Sequence, residues 1–269
     1  MSTQSGGQLD TSVAHPARRY NYWLGGKDNF AADRESGDRI AKAYPQVVMD
    51  ARANRDWMHR VTRFLARERG VRQFIDVGVG LPLSPNLHEI AQGCEAASRV
   101  LYVDNDPLVM THARALLTSA PEGATAYAEI DMHDTAEVLT EAKAVLDFDQ
   151  TMALVYCAVL HFEENDQQAY DVVTRTIQGL PKDSYVAISN FTLDGVNLWR
   201  RHKIARLTRK QPHDGQIRPR TRNQFATFFD GLALVEPGIR LISDWRPQTS
   251  PAQRPPRAQV YGAVAQKVG

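Results

Sequence analysis

The spacing of hydrophobic residues changes at Gly70 and divides the chain into two regions. Before it, apolar residues between Pro45 and Arg69 recur with the period of one helix face, and Gly70 stands where a helix ends. After it, short apolar runs that suit buried strands alternate with segments of helical period. This pattern predicts a helical N-terminal region followed by an alternating strand–helix region.

The alternating region predicts an α/β fold with a doubly wound, mostly parallel sheet. Strands are expected at 72–77, 100–103, 126–130, 152–157 and 185–189, and helices at 85–92, 107–117, 135–145 and 164–180. Two strand-like runs follow, at 232–241, interrupted by Pro237 and Gly238, and at 259–265. They predict a closing hairpin with an antiparallel strand at the edge of the sheet. The expected organisation is a flexible N-terminus over 1–15, a helical extension over 16–70 and the α/β domain over 71–269.

Composition narrows the class of protein without naming a function. The net charge of +1 comes from 32 basic and 31 acidic residues, which argues against a dedicated nucleic-acid or membrane-surface protein. No apolar run approaches the roughly 20 residues that span a bilayer, and the first residues lack the features of a secretory signal. Cys94 and Cys157 are too few for a disulfide framework or a four-cysteine zinc site. We therefore expect a cytoplasmic globular protein without a metal.

The first predicted strand ends in the sequence Asp-Val-Gly-Val-Gly, residues 76–80. Gly78 and Gly80, on either side of Val79, allow a tight turn and a close approach of the backbone to a ligand. The next helix then offers its N-terminal amides to a carboxylate. A plain strand-to-helix turn is the alternative for this motif.

Acidic residues also end the next two predicted strands. Asp104, followed by Asn105, is placed to accept hydrogen bonds from both hydroxyls of a ribose, with Asn105 bordering the adenine plane. Asp131 is placed to accept a hydrogen bond from an adenine amino group, with the Met132 amide contacting the ring. A helix cap ahead of Thr135 is the alternative role for Asp131.

The glycine pattern bears on which nucleotide cofactor is bound. The dinucleotide motif needs a third glycine, and Leu83, preceded by Pro82, stands in its place. S-adenosylmethionine carries no phosphate, and three acids at successive strand ends suit its positive charge. An NAD(P)-dependent reductase is therefore the weaker alternative.

Four segments together resemble an actinobacterial family of S-adenosylmethionine-dependent methyltransferases that was long catalogued as a domain of unknown function. They are PARRYNYWLGGKDNFAADRE (16–35), ARANRDWMHRVTRFLARERGVRQFIDVGVGLP (51–82), VLYVDNDPLV (100–109) and AVLHFEEND (158–166). The resemblance implies a Rossmann-like class I methyltransferase fold of seven strands with the last one antiparallel, preceded by an N-terminal helical extension. It implies S-adenosylmethionine as the cofactor and S-adenosylhomocysteine as the product. This chain departs from the family pattern at His133, where an arginine is frequent.

The resemblance also implies a role for the segment after the fourth strand. Ala158 and Val159 are expected beside the cofactor, where small residues let backbone carbonyls approach its ammonium group. His161 is the candidate general base because imidazole titrates near neutral pH, and the alternative is a histidine packed under the loop.

The N-terminal aromatic block is the least generic part of the chain. Tyr22 and Asn29 are expected to reach the cofactor as part of a lid, with Asn29 and Lys27 contacting the ligand or holding the lid turn. The alternative is that the aromatic residues only dock the extension onto the sheet. Further along, the cluster at 52–55 suggests either recognition of the cofactor carboxylate or ion pairs on a helix surface.

The stretch 199–222 holds nine lysines or arginines and one acid, Asp214. A solvated helix face is the favoured interpretation, and attraction of an anionic acceptor or a nucleic acid is the other. Together these features predict methyl transfer to a small-molecule acceptor. A non-catalytic regulator that binds S-adenosylmethionine is the alternative function.

Overall fold

The computed structural model describes residues 10–209, 217–248 and 256–268, which form one mixed sheet with helices on both faces. The helices are α1 (Pro16–Trp23), α2 (Ala31–Ala43), α3 (Val47–Glu68), α4 (Leu87–Gln92), α5 (Pro107–Leu116), α6 (Thr135–Val145), α7 (Asp166–Gly179), α8 (Leu198–Arg209) and α9 (Arg222–Ala226). The strands are β1 (Gln73–Val77), β2 (Arg99–Asp104), β3 (Ala124–Glu129), β4 (Ala153–Cys157), β5 (Tyr185–Phe191), β6 (Ala233–Leu234), β7 (Arg240–Leu241) and β8 (Val260–Gln266).

The sheet runs in the order β3-β2-β1-β4-β5-β8-β6, with β7 also paired to β8. Strands β1 to β5 are parallel, and β8 is antiparallel to β5. The predicted doubly wound architecture with an antiparallel last strand is confirmed. The predicted edge position is wrong, because β8 lies inside the sheet and the short β6 takes the edge.

The run predicted at 232–241 forms two short strands instead of one. Pro237 has no backbone N–H to donate, and Gly238 adopts a φ of +72°. The chain therefore pairs with β8 at Ala233–Leu234, where the Val235 N–H also donates to Val264 O at 2.9 Å, and again at Arg240–Leu241. The sheet has eight strands where seven were expected, because this run is broken in two.

Side chains alternate between the two faces of the sheet because successive residues of a strand point in opposite directions. In β1, Ile75 and Val77 pack with residues of α6 and α7, whereas Phe74 packs with residues of α3 and α4. Asp76 has the same parity as Phe74, so its carboxylate lies on the side of the long helix α3. The polar end of β1 thus faces the N-terminal helices.

The predicted N-terminal helices are present as α1, α2 and α3. A buried ion pair joins the first two, with Arg18 Nε donating to Asp33 Oδ1 at 3.1 Å and the Asp33 side chain fully buried. The expected flexible segment 1–15 lies mostly outside the described residues, and 10–15 form neither helix nor strand. Within the described ranges, no helix combines the length and apolarity that crossing a bilayer requires.

Candidate active site

A cavity of about 550 Å³ lies at the carboxyl ends of the parallel strands. Open α/β sheets bind ligands at this edge, and a volume between about 300 and 1,000 Å³ is typical of small-molecule sites. The strand ends form one part of its lining, which we call the cofactor half: residues 76–80, 103–105, 130–133, 157–159 and 161–163. The other half, the acceptor half, is formed by α2, the start of α3, the end of β5, α8, Ile217 and the start of β8.

The turn after β1 depends on glycine. Gly78 has a φ of +74°, and a Cβ at this position would lie 2.4 Å from Cγ2 of Val159. Gly80 has a φ of +65°, and its N–H donates to Asp104 Oδ2 at 2.9 Å. No other residue fits at Gly78 without moving the loop after β4.

Asp104 holds this turn from the end of β2. Its second oxygen, Oδ1, accepts from the Asp106 N–H at 3.0 Å. Burial raises the pKa of Asp104, and the backbone donors oppose that rise. Each carboxylate oxygen can accept a further hydrogen bond, so the side chain can hold the turn and contact a ligand hydroxyl together.

Asp76 is the first of the three strand-end acids that the sequence analysis related to the positive charge of the cofactor, without assigning it a particular contact. It lines the cavity, is only 6% exposed, and accepts no hydrogen bond from the described residues. Burial raises its pKa to about 7, with Arg55 acting to lower it and Asp104 to raise it. A ligand cation bound at this end of the cavity would stabilise such a buried carboxylate, which lacks a hydrogen-bond donor.

The end of β3 is linked to the end of β4 by His133. Its Nδ1 lies 2.5 Å from Asp131 Oδ1, its Nε2 lies 2.8 Å from Glu163 Oε2, and Asn105 Nδ2 donates to Asp131 Oδ2 at 2.8 Å. Burial lowers the pKa of His133, but hydrogen bonds to the two carboxylates raise it above its usual value overall. Asp131 is not the helix cap, because the residue before α6 is Asp134.

The loop after β4 follows an unusual backbone path. Ala158 adopts a φ of +59°, which is strained for a residue with a side chain, and its N–H donates to Ser189 Oγ at 3.0 Å. Val159 packs over the Gly78 turn, and Met132 faces the same cavity. The structure therefore brings together ten of the residues predicted from sequence: Gly78, Val79, Gly80, Asp104, Asn105, Asp131, Met132, Ala158, Val159 and His161.

His161 lines the cavity but is not poised as a base. It is 9% exposed, and its Nδ1 is buried without a hydrogen-bond partner among the described residues. Burial, together with the nearby Arg220 guanidinium, lowers its pKa to about 3. An imidazole with so low a pKa takes up a proton weakly at neutral pH. This geometry favours the packed histidine over the general base.

The acceptor half combines an apolar wall with a buried polar pair, Tyr44 and Asp50, and the exposed Arg39. Tyr44 Oη donates to Asp50 Oδ2 at 2.5 Å, and Asp50 is 4% exposed. The Tyr44 ring packs edge-on against Phe191, with 5.8 Å between the ring centroids. Neither Tyr44 nor Asp50 was predicted, since each lies near a helix end where the hydrophobic pattern gives no signal.

Comparison with known proteins decides the family. A model of the S-adenosyl methyltransferase family matches residues 2–268. The chain belongs to this family. A DUF574 family protein from Streptomyces avermitilis is 43% identical over 97% of this chain and 100% of its own, with a TM-score of 0.90. A protein from Thermobifida fusca is 35% identical over the full length of both chains, with a TM-score of 0.86.

More distant structures share the methyltransferase fold. The 1,6-didemethyltoxoflavin N1-methyltransferase of Burkholderia thailandensis, solved with its substrate and S-adenosylhomocysteine, is 13% identical over 100% of this chain and 99% of its own, with a TM-score of 0.51. No curated protein matched the chain. The family resemblance and S-adenosylmethionine as the cofactor are thus confirmed, and the NAD(P)-dependent reductase is set aside.

Two residues predicted to contact the cofactor do not line the cavity in this member of the family. Asn29 Nδ2 donates to Gly26 O at 2.9 Å and to Asn21 Oδ1 at 3.0 Å, so it holds the turn after α1. Tyr22 Oη donates to Asp38 Oδ1 at 2.8 Å on the exposed side of α2. Neither is among the described residues that line the cavity; from the same block, Tyr20 and Trp23 are.

Asn54, on α3, has a different role from either one considered for the cluster at 52–55. It is 2% exposed; its Nδ2 donates to Tyr20 Oη at 3.0 Å, and its Oδ1 accepts from Ser189 Oγ at 2.7 Å. Its Nδ2 also lies 3.2 Å from Cys157 Sγ, and burial raises the pKa of that thiol to about 11. Asn54 therefore ties α3 and α1 to the ends of β4 and β5.

The basic stretch 199–222 lies partly outside the described residues, which omit 210–216. In its described part, Arg220 is 1% exposed and donates to Leu160 O at 2.7 Å, Glu163 O at 3.0 Å and Asp166 Oδ1 at 3.1 Å. Arg220 thus holds the loop after β4, which sequence reasoning missed. Within the described ranges, no group of three or more potential ligands is arranged to hold a metal ion.

Proposed function

We propose that this protein transfers the methyl group of S-adenosylmethionine to a small-molecule acceptor. The observation that carries the proposal is the continuity of one cavity from the strand ends at Gly78, Asp104 and Asp131 to an apolar half with its own polar pair. A cofactor and a second small molecule can therefore meet in one continuous site. Family membership supports the same reaction.

The residues of the cofactor half suit the three parts of S-adenosylmethionine. Asp104 would accept the ribose hydroxyls, while Asn105, Asp131 and Met132 would border the adenine. The Gly78–Gly80 turn would face the methionine part. Asp76 fits the ammonium group, because a cation relieves the cost of a buried carboxylate that has no donor.

When bound, the cofactor supplies a methyl group on a positively charged sulfur. The protein's part is to position the two reactants in line and to exclude water. The helices α1, α2 and α3 cover the strand ends, and the Asn54 network fixes their distance from β4 and β5. Because His161 is buried with a strongly lowered pKa, we assign it to packing of this loop.

Calorimetric titration with S-adenosylmethionine and S-adenosylhomocysteine tests the proposal. We expect micromolar binding of both and at least a tenfold loss in Asp104→Ala, because the variant loses both the ribose contact and the Gly80 turn. Asp38→Ala, on the exposed side of α2, is the matched control and should bind normally. The absence of heat at high-micromolar ligand, or undiminished affinity in Asp104→Ala, would overturn the assignment. Binding without conversion to S-adenosylhomocysteine in any cell extract would favour the regulator.

A further inference from the structure

The side chains that line the acceptor half limit the class of ligand that can bind there. Six apolar side chains from six segments line it: Ile40, Val47, Phe191, Ile204, Ile217 and Val260. Helix α2 packs against α8 on the far side of the cavity from the strand ends. An apolar ligand gains free energy by transfer into this space, and a charged ligand loses hydration there. The exposed Arg39, on α2, also lines the cavity, so the wall is apolar apart from this guanidinium and the Tyr44–Asp50 pair.

The polar contact point of the acceptor half is the Tyr44–Asp50 pair. Asp50 Oδ1 accepts from the Gln259 N–H at 3.0 Å and from Gln46 Nε2 at 3.3 Å, and Oδ2 accepts from Tyr44 Oη. Burial raises the pKa of Asp50, and these three donors act to lower it. The carboxylate is therefore held firmly between the α2–α3 corner and the start of β8.

The hydrogen bonds that Tyr44 and Asp50 already make determine which ligand group can bind to them. Tyr44 uses its only O–H on Asp50, so the phenolic oxygen is left as an acceptor. Asp50 presents only acceptor capacity and negative charge to its surroundings. A ligand that donates a hydrogen bond completes the pair, whereas a ligand carboxylate brings like charges together in a poorly hydrated space.

We propose that the acceptor half binds an apolar small molecule through a hydroxyl group that donates to the Tyr44–Asp50 pair, and that the pair excludes carboxylate-bearing acceptors. This inference rests on the proposed function, since it names the acceptor class of the same site. It adds two specificity-determining residues, Tyr44 and Asp50, that neither the motifs nor the family comparison assigns.

Three matched probes test the inference by calorimetry on protein saturated with S-adenosylhomocysteine. They are 2-naphthol, 2-methoxynaphthalene, whose donor is capped, and 2-naphthoate, which carries a carboxylate. We expect 2-naphthol to bind at least tenfold more tightly than either of the others. Absence of 2-naphthol binding at millimolar concentration, or equal or tighter binding of 2-naphthoate, overturns the inference.

Variants separate specific recognition from a merely structural role of the pair. Tyr44→Phe keeps the ring against Phe191 and should reduce the preference for 2-naphthol over 2-methoxynaphthalene to about twofold. Asp50→Asn should remove the exclusion of 2-naphthoate. A structural role would weaken all three probes equally and leave their ratios unchanged, which would contradict the inference.

Cofactor binding separates this test from the test of the proposed function. Titration of each variant with S-adenosylhomocysteine and its thermal melting show whether the fold and the cofactor half are intact. If S-adenosylhomocysteine fails to bind the unmodified protein, the proposed function fails. If it binds and the probe preferences are absent, only the acceptor class is wrong. Asp38→Asn is the matched control for Asp50→Asn and should leave all probe affinities unchanged.

Discussion

The two halves of the cavity are built in different ways. The cofactor half comes from residues within a few positions of strand ends, and much of it is backbone or glycine, as at Gly78 and Gly80. The acceptor half comes from side chains of segments far apart in the sequence, such as Ile40, Phe191 and Val260. The sheet itself therefore determines the first half, whereas tertiary packing around the sheet determines the second.

This difference indicates which half can change without loss of the fold. The Gly78 turn contacts Val159 so closely that it admits no side chain, and Asp104 ties that turn to β2. The apolar wall has no such constraint, because hydrophobic residues of similar volume replace one another at small cost. Substrate preference is expected to vary through the wall, while the cofactor half stays constant.

The largest expected effect, on stability, comes from Arg220, which holds the loop after β4 in the cofactor half. Arg220→Met leaves Asp166 and two carbonyls without their buried partner and should lower the free energy of unfolding by about 3–5 kcal/mol. Chemical denaturation measures this. Arg218→Met removes the more exposed partner of Asp166 and should cost no more than about 1 kcal/mol. Equal losses in the two variants would contradict a structural role of the buried arginine.

Gly78→Ala should weaken cofactor binding and leave the acceptor half unchanged. The left-handed conformation costs about 1–2 kcal/mol for a residue with a side chain, and the added Cβ displaces Val159. We expect binding of S-adenosylhomocysteine to weaken by about tenfold or more, since about 1.4 kcal/mol is a factor of ten. Gly231→Ala is the matched control, with a φ of +77° and no atom within 4 Å of its added Cβ. The Gly231→Ala variant should lose stability but bind S-adenosylhomocysteine with unchanged affinity.

The strand ends were the part of the site that sequence could predict. Apolar runs ending in Asp104 and Asp131 gave both the sheet and its ligand edge, because parallel strands present their carboxyl ends together. Sequence reasoning could not place Tyr44 and Asp50 in the site, since both lie near helix ends and the cavity around them is closed by residues distant in sequence, such as Phe191 and Val260. It also misjudged the N-terminal block: Tyr22 and Asn29 are its more distinctive members, yet Tyr20 and Trp23 line the cavity. The burial of Arg220 could not be predicted, because Arg220 lies in the basic stretch 199–222 and such stretches usually form solvated surfaces.

Asp76 should make cofactor affinity depend on pH. Its pKa is about 7 in the free protein, and an ammonium group beside it favours the ionised form. Binding should therefore release a proton near pH 7, and affinity should fall by up to about tenfold per unit as pH drops below 7. Calorimetry in buffers of different ionisation enthalpy measures the release. Asp76→Asn should abolish it, and a release that persists in this variant would assign the titration to another group.

The smallest expected effect is the contribution of His133 to the pH dependence of stability. Its pKa is raised in the folded protein, so its stabilisation is complete below about pH 6.5 and is lost as pH rises through the folded pKa. The side chain is 41% exposed, so less than about 1 kcal/mol is expected. His133→Asn should lower the melting temperature at pH 5.5 more than at pH 8.5, which changes the difference between the two pH values. An unchanged difference in His133→Asn would contradict the link between β3 and β4.

The position of β8 inside the sheet has a consequence for synthesis on the ribosome. Helices α2 and α3 emerge early, and the parallel strands follow in order, so the cofactor half can assemble while the chain is still growing. Gln259 and Val260 emerge much later, and until then Asp50 lacks a backbone donor and the cavity lacks one wall. The acceptor half therefore stays incomplete until β8 has been synthesised and has joined the sheet.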